Sequence, residues 1–460
     1  MSTKLDGAGA LTTVSPRVVL ARTAERGDLS DPETLRRVAA TLGAGRYVTG
    51  EVLEVAGRIT VSAYLNETSG DNGSPERATA EGATEELFTL LDGLVANLLA
   101  SSMSEGADRI QRLATLTTAS LPAAREYLQG EQHLRAGRYR EAAAAYDAAV
   151  AIDSTFALAY YRKSIAADWT DAYDVRSSAD RAVQLSGVLS ARDRTLIQAL
   201  RLRRNGRVEE AEQQFRALVH DYPDDVEAWV QLGEAIFHDA SRRGGSTLDA
   251  IAPFSRAVEL EPANLIAQLH VARLYALYDS VDALSRSAEF FRNFASESER
   301  ALEVEAIQAY LAGDSAQQAS VKNRLLDKPW FYHFYAVHGV SRFARDAHGA
   351  ADLLAAVPAV DPYVMALVPG IAVVRGKHEE AYAYLDRLRG LDNPTWDLFQ
   401  AFMLSSGTLP LDPERAGTLV PRLATLDAAE IHATSFIPPY EDLTIEHTRF
   451  QRDYFLALLW

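Results

Sequence analysis

The sequence predicts a small α/β domain followed by an all-α superhelical solenoid of antiparallel helical hairpins. Three observations carry that prediction. A spaced pattern of small and large apolar residues recurs from Ala142 onward, and two β-forming runs flank a glycine near residue 57. The chain, at 460 residues, is also longer than one ordinary hydrophobic core can serve.

In chain order, ALTTVS at 10–15 alternates weakly and stops at Pro16, as a short strand before a helix would. Asp31-Pro32-Glu33 opens a helix with a capping carboxylate, a proline at the first helical position and an acid in the first turn. That helix is expected to stop at Gly43. Val48, Val52 and Val55, then Ile59, Val61 and Tyr64, stand on either side of Ala56-Gly57 and read as a β-hairpin. SGDNG at 69–73 reads as a turn before a further strand. Leu87, Leu91, Leu94 and Leu98 then recur at helical spacing.

From there the chain repeats. Ala142-x3-Tyr146-x2-Ala149 leads to Ser154, Ala211-x3-Phe215-x2-Leu218 to Pro223, and Ala250-x3-Phe254-x2-Ala257 to Pro262. Ala142 and Ala211 lie 69 apart, two 34-residue periods plus one. Ala211 and Ala250 lie 39 apart, and the surplus fits a glycine-rich insertion, SRRGGST. Trp229-x2-Leu232-Gly233 precedes the last copy. Paired helices need small residues where they cross, large ones to fill the space between, and a proline to close the unit. Ala381-x3-Leu385-x2-Leu388 extends the array, whereas the signature fades between 280 and 375 into irregular helical hairpins. Within that stretch the aromatic run PWFYHFYAVHG at 329–339 is expected as a buried helix.

These spacings resemble the tetratricopeptide repeat. The front segments VSPRVVLA, LGAGRYVTGEVLEVAGRITVSAYLNETSG and EELFTLLDGLVANLL resemble the TolB amino-terminal-like (FlgO-like) domain. LSARDRTLIQALRLRRNGRVEEAEQQFRALVHDYPDD resembles the repeat region beyond bacterial serine/threonine kinases and related regulators. The expected division is 1–102 for the TolB-like domain, lacking its first strand, 103–280 for the repeats, and 281–460 for degenerate hairpins with the last unit incomplete. The chain is accordingly expected to be part of a longer protein with a flanking domain.

Composition narrows the partners. Lys and Arg number 46 against 63 Asp and Glu, a formal net charge of −17, which repels phosphate backbones and argues against nucleic acid. No cysteine is present, so disulfides, thiolate nucleophiles and cysteine-based metal sites are excluded. No apolar run reaches the ~18 residues of a membrane span; the nearest, MALVPGIAVV at 365–374, is broken by Pro369-Gly370. No secretory signal pattern opens the chain. A cytoplasmic location is the default, and an extracytoplasmic one follows if a membrane helix precedes this chain.

Catalytic signatures fail one by one. Gly370-x5-Gly376-Lys377 has one residue too many for a phosphate loop, and His378 replaces the magnesium-binding hydroxyl. Gly7-Ala-Gly9 and Gly43-Ala-Gly45 lack the third glycine of a dinucleotide fingerprint. Kinase triplets, a Gly-x-Ser-x-Gly elbow and a His-Glu-x-x-His pair are all missing. His333 and His338, five apart, share no helix face. No enzyme activity, cofactor or metal is expected.

Binding remains. The tetratricopeptide resemblance implies a groove lined by the first helix of each unit. Carried over unit by unit, its residues are Tyr127 and Glu131, Tyr161 and Asp168, Leu196 and Arg203, Val230, Glu234 and His238, and Leu269 and Arg273. This acidic and aromatic mixture suits a basic or apolar peptide. The function implied is a non-catalytic, protein- or peptide-binding sensor or scaffold region of a bacterial signalling protein. The alternative is a freestanding repeat scaffold for envelope or secretion complexes.

Overall fold

The computed structural model describes residues 31–55, 57–68, 76–87, 118, 120–170, 175–296, 298, 300–356, 362–390 and 395–427, with isolated positions in 14–23, 90–94 and 452–459. The strand expected at 10–15 (Val14 apart), the turn at 69–73 and Leu98 lie outside them. Two compact units are present, Met1–Gln268 and Leu269–Trp460.

In unit 1, α1 (Pro32–Thr41) is capped by Asp31, whose side chain accepts from the backbone N–H groups of Glu33 and Thr34. Three antiparallel strands follow, β1 (Arg46–Val55), β2 (Arg58–Glu67) and β3 (Glu76–Ala83), in the order β1-β2-β3. Gly57 makes the β1–β2 turn at φ 77°, where a Cβ would be strained. The side chains of Ile59, Val61 and Ala63 share one face of β2. They bury with Ala78 and Leu94, and Val48, Leu65, Leu87, Leu90 and Leu91 pack against them. The leucine spacing after β3 thus identifies the residues that cover the sheet.

The helices of unit 1 then pair as hairpins: α2 (Leu121–Arg135) with α3 (Tyr139–Ile152), α4 (Ala157–Ala167) with α5 (Val175–Leu185), α6 (Ala191–Arg204) with α7 (Val208–Asp221), and α8 (Val226–Asp239) with α9 (Ile251–Leu260). The expected packing residues are in place. Ala142, Tyr146, Ala149, Ala211, Phe215, Ala250, Phe254 and Ala257 have no exposed surface, and burying one such ring contributes ~2 kcal/mol or more. A Cβ on Gly233 would stand 2.7 Å from the Phe254 ring, and one on Gly130 2.5 Å from the Tyr146 ring. Glycine is therefore what lets the aromatic ring of the second helix reach the first. Trp229 departs from its expected role as filler. It is half-buried, and its indole N–H donates to the Pro223 carbonyl at 3.0 Å, because a buried indole needs an acceptor and the turn supplies one. The SRRGGST insertion forms two short 3-10 turns, Ala240–Arg243 and Thr247–Ala250, between α8 and α9.

The division between the units falls inside α10 (Leu265–Leu277). Unit 2 continues with α11 (Val281–Phe294), α12 (Ala301–Leu311), α13 (Ser315–Leu325), α14 (Trp330–Arg342), α15 (Ala347–Ala356), α16 (Pro362–Val374), α17 (His378–Arg389), α18 (Thr395–Ser405) and α19 (Pro413–Thr425). Two expectations need correction. The aromatic run on α14 is not simply buried. His333, Ala336, Val337, Gly339 and Val340 face inward, and Trp330, Phe331, Tyr332, Phe334 and Tyr335 stay half-buried. At Gly339 this helix comes close to α12, where a Cβ would meet Glu303 and Ile307 side-chain atoms at 3.0 Å. Nor does Pro369 break its helix: α16 runs through it, at the cost of one backbone hydrogen bond. No helix among the described residues is long and apolar enough to cross a membrane.

Candidate peptide-binding groove

The first helices of the hairpins in unit 1 are α2, α4, α6 and α8, and their polar side chains form a buried ladder. Arg162 on α4 lies between two carboxylates: its Nε is 2.8 Å from Glu131 Oε1 on α2, and its Nη1 donates to Glu227 Oε2 on α8 at 2.6 Å. Tyr146 donates its hydroxyl to Glu131 Oε1 at 2.7 Å. Tyr161 donates to Glu227 Oε1 at 3.0 Å, and the Gln231 amide donates to the same oxygen at 3.1 Å. Each member is buried. Buried charges are tolerable only when paired and hydrogen-bonded, and here each carboxylate faces the Arg162 guanidinium and accepts a tyrosine hydroxyl.

The ladder shifts the titration of its members. Burial would depress the Arg162 guanidinium, but Glu131 and Glu227 outweigh it and hold the group charged, well above its ordinary value. Burial, and then the neighbouring Glu131, pushes the Tyr146 phenol well up; burial and Glu227 do the same to Tyr161.

Further rungs join the same helices. Arg192 Nε donates to Asp225 Oδ2 at 2.7 Å, and Asp225 also caps α8 by accepting from the Ala228 N–H at 3.2 Å. At the opposite helix ends Arg203 Nε donates to Asp239 Oδ2 at 3.1 Å, and Arg204 pairs with Asp168. Glu234 and His238, one turn apart on α8, approach to 3.4 Å.

The sequence-derived groove residues fall into four groups. Glu131, Tyr161 and Arg203 are engaged in this ladder. Leu196 and Val230 are buried, as is Glu234; Tyr127 is half-buried, with its ring 5.8 Å from Tyr146 and 5.0 Å from Phe156. Asp168 and His238 are the two that stand exposed. The remaining pair belongs to unit 2: Leu269 is fully buried, and Arg273 Nη2 lies 2.7 Å from Glu303 Oε1. Sequence reasoning missed Arg162, Glu227 and Gln231. A signal existed, because Glu227, Gln231, Glu234 and His238 form a polar stripe at helical spacing on the otherwise apolar α8.

Residues 192–235, spanning α6, α7 and most of α8, match the tetratricopeptide repeat. The helical array is of tetratricopeptide type. No curated protein sequence matches the chain. Among solved structures it is similar to PilF of Pseudomonas aeruginosa, at 16% identity over 46% of this chain and 95% of that one, with a TM-score of 0.29. It is similar to human IFIT1, determined as a dimer with m7Gppp-AAAA, at 14% identity over 67% and 82%, TM-score 0.37. Yeast Tom70 aligns at 10% identity over 82% and 93%, TM-score 0.25.

Proposed function

We propose that this chain is a non-catalytic module that binds a protein or peptide, serving as the sensor or scaffold region of a bacterial signalling protein associated with a serine/threonine kinase or a related regulator. The observation that carries the reading is the tetratricopeptide match over 192–235, which includes α6 and most of α8, two of the first helices that the ladder joins. Repeats of this kind place the first helices side by side and leave a continuous surface for a partner. The TolB-like resemblance of the front segment supports the signalling context.

The ladder limits where a partner would touch. Its centre is buried among the chain's own ion pairs, so contact falls on the exposed ends, at Asp168, which pairs with Arg204, and at His238, beside Glu234. A basic or apolar peptide fits the acidic balance of the chain. Fluorescence anisotropy with a defined set of basic, apolar and acidic peptides tests this on the full chain. Basic or apolar peptides should bind, and Asp168→Ala with His238→Ala should weaken them about tenfold, a loss within the range of a single interface residue. Equal binding by the variant, or no peptide bound, refutes the reading.

A further inference from the structure

The edge strand β1 is unlike the rest of the sheet. Its partner β2 is enclosed between two strands, and β3 alternates buried and exposed positions. In β1 every residue from Gly50 to Val55 is exposed, with Val52 at 64%, Leu53 at 63% and Val55 at 61%. Among the described residues no strand pairs with its other edge. This ten-residue edge exposes apolar side chains, has neither lysine nor proline, and carries its charges at Arg46, Glu51 and Glu54. Val52 stands on the same face as its buried cross-strand neighbour Val61, so the core face of the sheet ends abruptly at this edge.

We infer that β1 is a homodimerisation edge, pairing antiparallel with β1 of a second copy about a two-fold axis at Gly50. The argument is the strand's own sequence, RYVTGEVLEV. An axis normal to the sheet keeps every residue on its face, so opposed residues must share a face. Centred on Gly50, it sets Arg46 opposite Glu54, Val48 opposite Val52, Tyr47 opposite Leu53, and Thr49 opposite Glu51, each twice. Arg46 has no ion pair among the described residues, although Glu67 faces it in the β1–β2 register. Moving the axis to Glu51 opposes that carboxylate to itself, and moving it to Thr49 opposes Arg46 to Val52. Only the Gly50 register matches charge with charge and valine with valine. It continues the apolar face across the boundary, and glycine at the axis leaves the two backbones free to approach.

Sedimentation equilibrium on the full chain reads this out. Wild type should associate reversibly to a dimer. Arg46→Glu and Glu54→Arg should each weaken it about tenfold by placing like charges opposite each other twice, and the double variant should restore it. The absence of cysteine allows a second measurement that does not depend on the charges. Thr49→Cys mixed with Glu51→Cys should form an intermolecular disulfide, and neither variant alone should do so as readily. A chain that stays monomeric, a dimer indifferent to the charge reversals, or equal cross-linking in the unmixed variants would each overturn the inference.

Discussion

Units 1 and 2 build the same helical hairpin from different residues. In unit 1 a ring on the second helix lies over a glycine on the first, Tyr146 over Gly130 and Phe254 over Gly233. In unit 2 such a contact joins neighbouring hairpins: Tyr310 on α12 lies against Gly349 on α15, the second helix of the next hairpin. The ionic centres are inverted. Unit 1 holds one arginine, Arg162, between Glu131 and Glu227. Unit 2 holds one carboxylate, Glu303, between Arg273 at 2.7 Å and Arg300 at 3.6 Å. What the array demands is therefore a small residue against a large one and a paired buried charge, and it is indifferent to whether the contact lies within a hairpin or between neighbouring ones.

The comparison breaks most visibly at the two ionic centres. Arg162→Ala leaves two carboxylates buried without their cation, and Glu303→Ala leaves two arginines buried without their anion. Each should cost ~4 kcal/mol, the scale of removing one partner from a buried pair, read as a lower urea midpoint. Arg162→Ala is expected to act on unit 1 and Glu303→Ala on unit 2, so hydrogen exchange should separate them. Equal loss of protection across both units would show that they unfold as one.

A smaller effect is expected at the glycine seams. Gly233→Ala drives a methyl into the Phe254 ring, which has no exposed surface and so no room to withdraw. A loss of ~2 kcal/mol follows from overpacking. Phe254→Leu in the same chain should recover part of it, because the smaller side chain vacates the contested space. Recovery measured by thermal unfolding confirms that the glycine is kept for the ring; additive losses would place its role elsewhere.

Much of this was legible beforehand. The capped helix at Asp31, the hairpin around Gly57 and the repeats between Ala142 and Pro262 depend on local chemistry, and the structure follows them. The later array faded for an identifiable reason. The turn between paired helices uses a left-handed residue, at Gly137 and Gly206 in unit 1, then at Asp279, Gly313, Arg345, Gly376 and Gly407 in unit 2. Those last five are spaced 34, 32, 31 and 31 apart, close to the repeat period, but aspartate and arginine at two of them hide the rhythm. Such residues tolerate that conformation poorly on their own; here Asp279 and Arg345 form an ion pair with each other. The ionic centres were illegible for another reason. Arg162 and Glu227 are 65 residues apart, on helices separated by a complete hairpin, and no local pattern links them.

The mildest prediction concerns the phenols, and it sharpens the contrast between the units. Tyr146 and Tyr161 in unit 1 are pushed well above the ordinary value near 10 by burial and by their carboxylates. In unit 2 the Tyr310 phenol is pushed up by burial and by Asp352, whose Oδ2 accepts its hydroxyl at 3.2 Å. A phenol whose folded value exceeds its unfolded one contributes stability that is complete below about 10 and is lost as pH rises through the folded value. The protein should thus stay folded to neutral and mildly alkaline pH, with these three tyrosines silent in an absorbance titration until unfolding releases them. Tyr161→Phe should remove one late-titrating group and leave the early ones unchanged. If all nineteen tyrosines ionise together near 10 in the folded chain, the hydroxyls are not held by Glu131, Glu227 and Asp352, and the ladder of unit 1 loses two of its rungs.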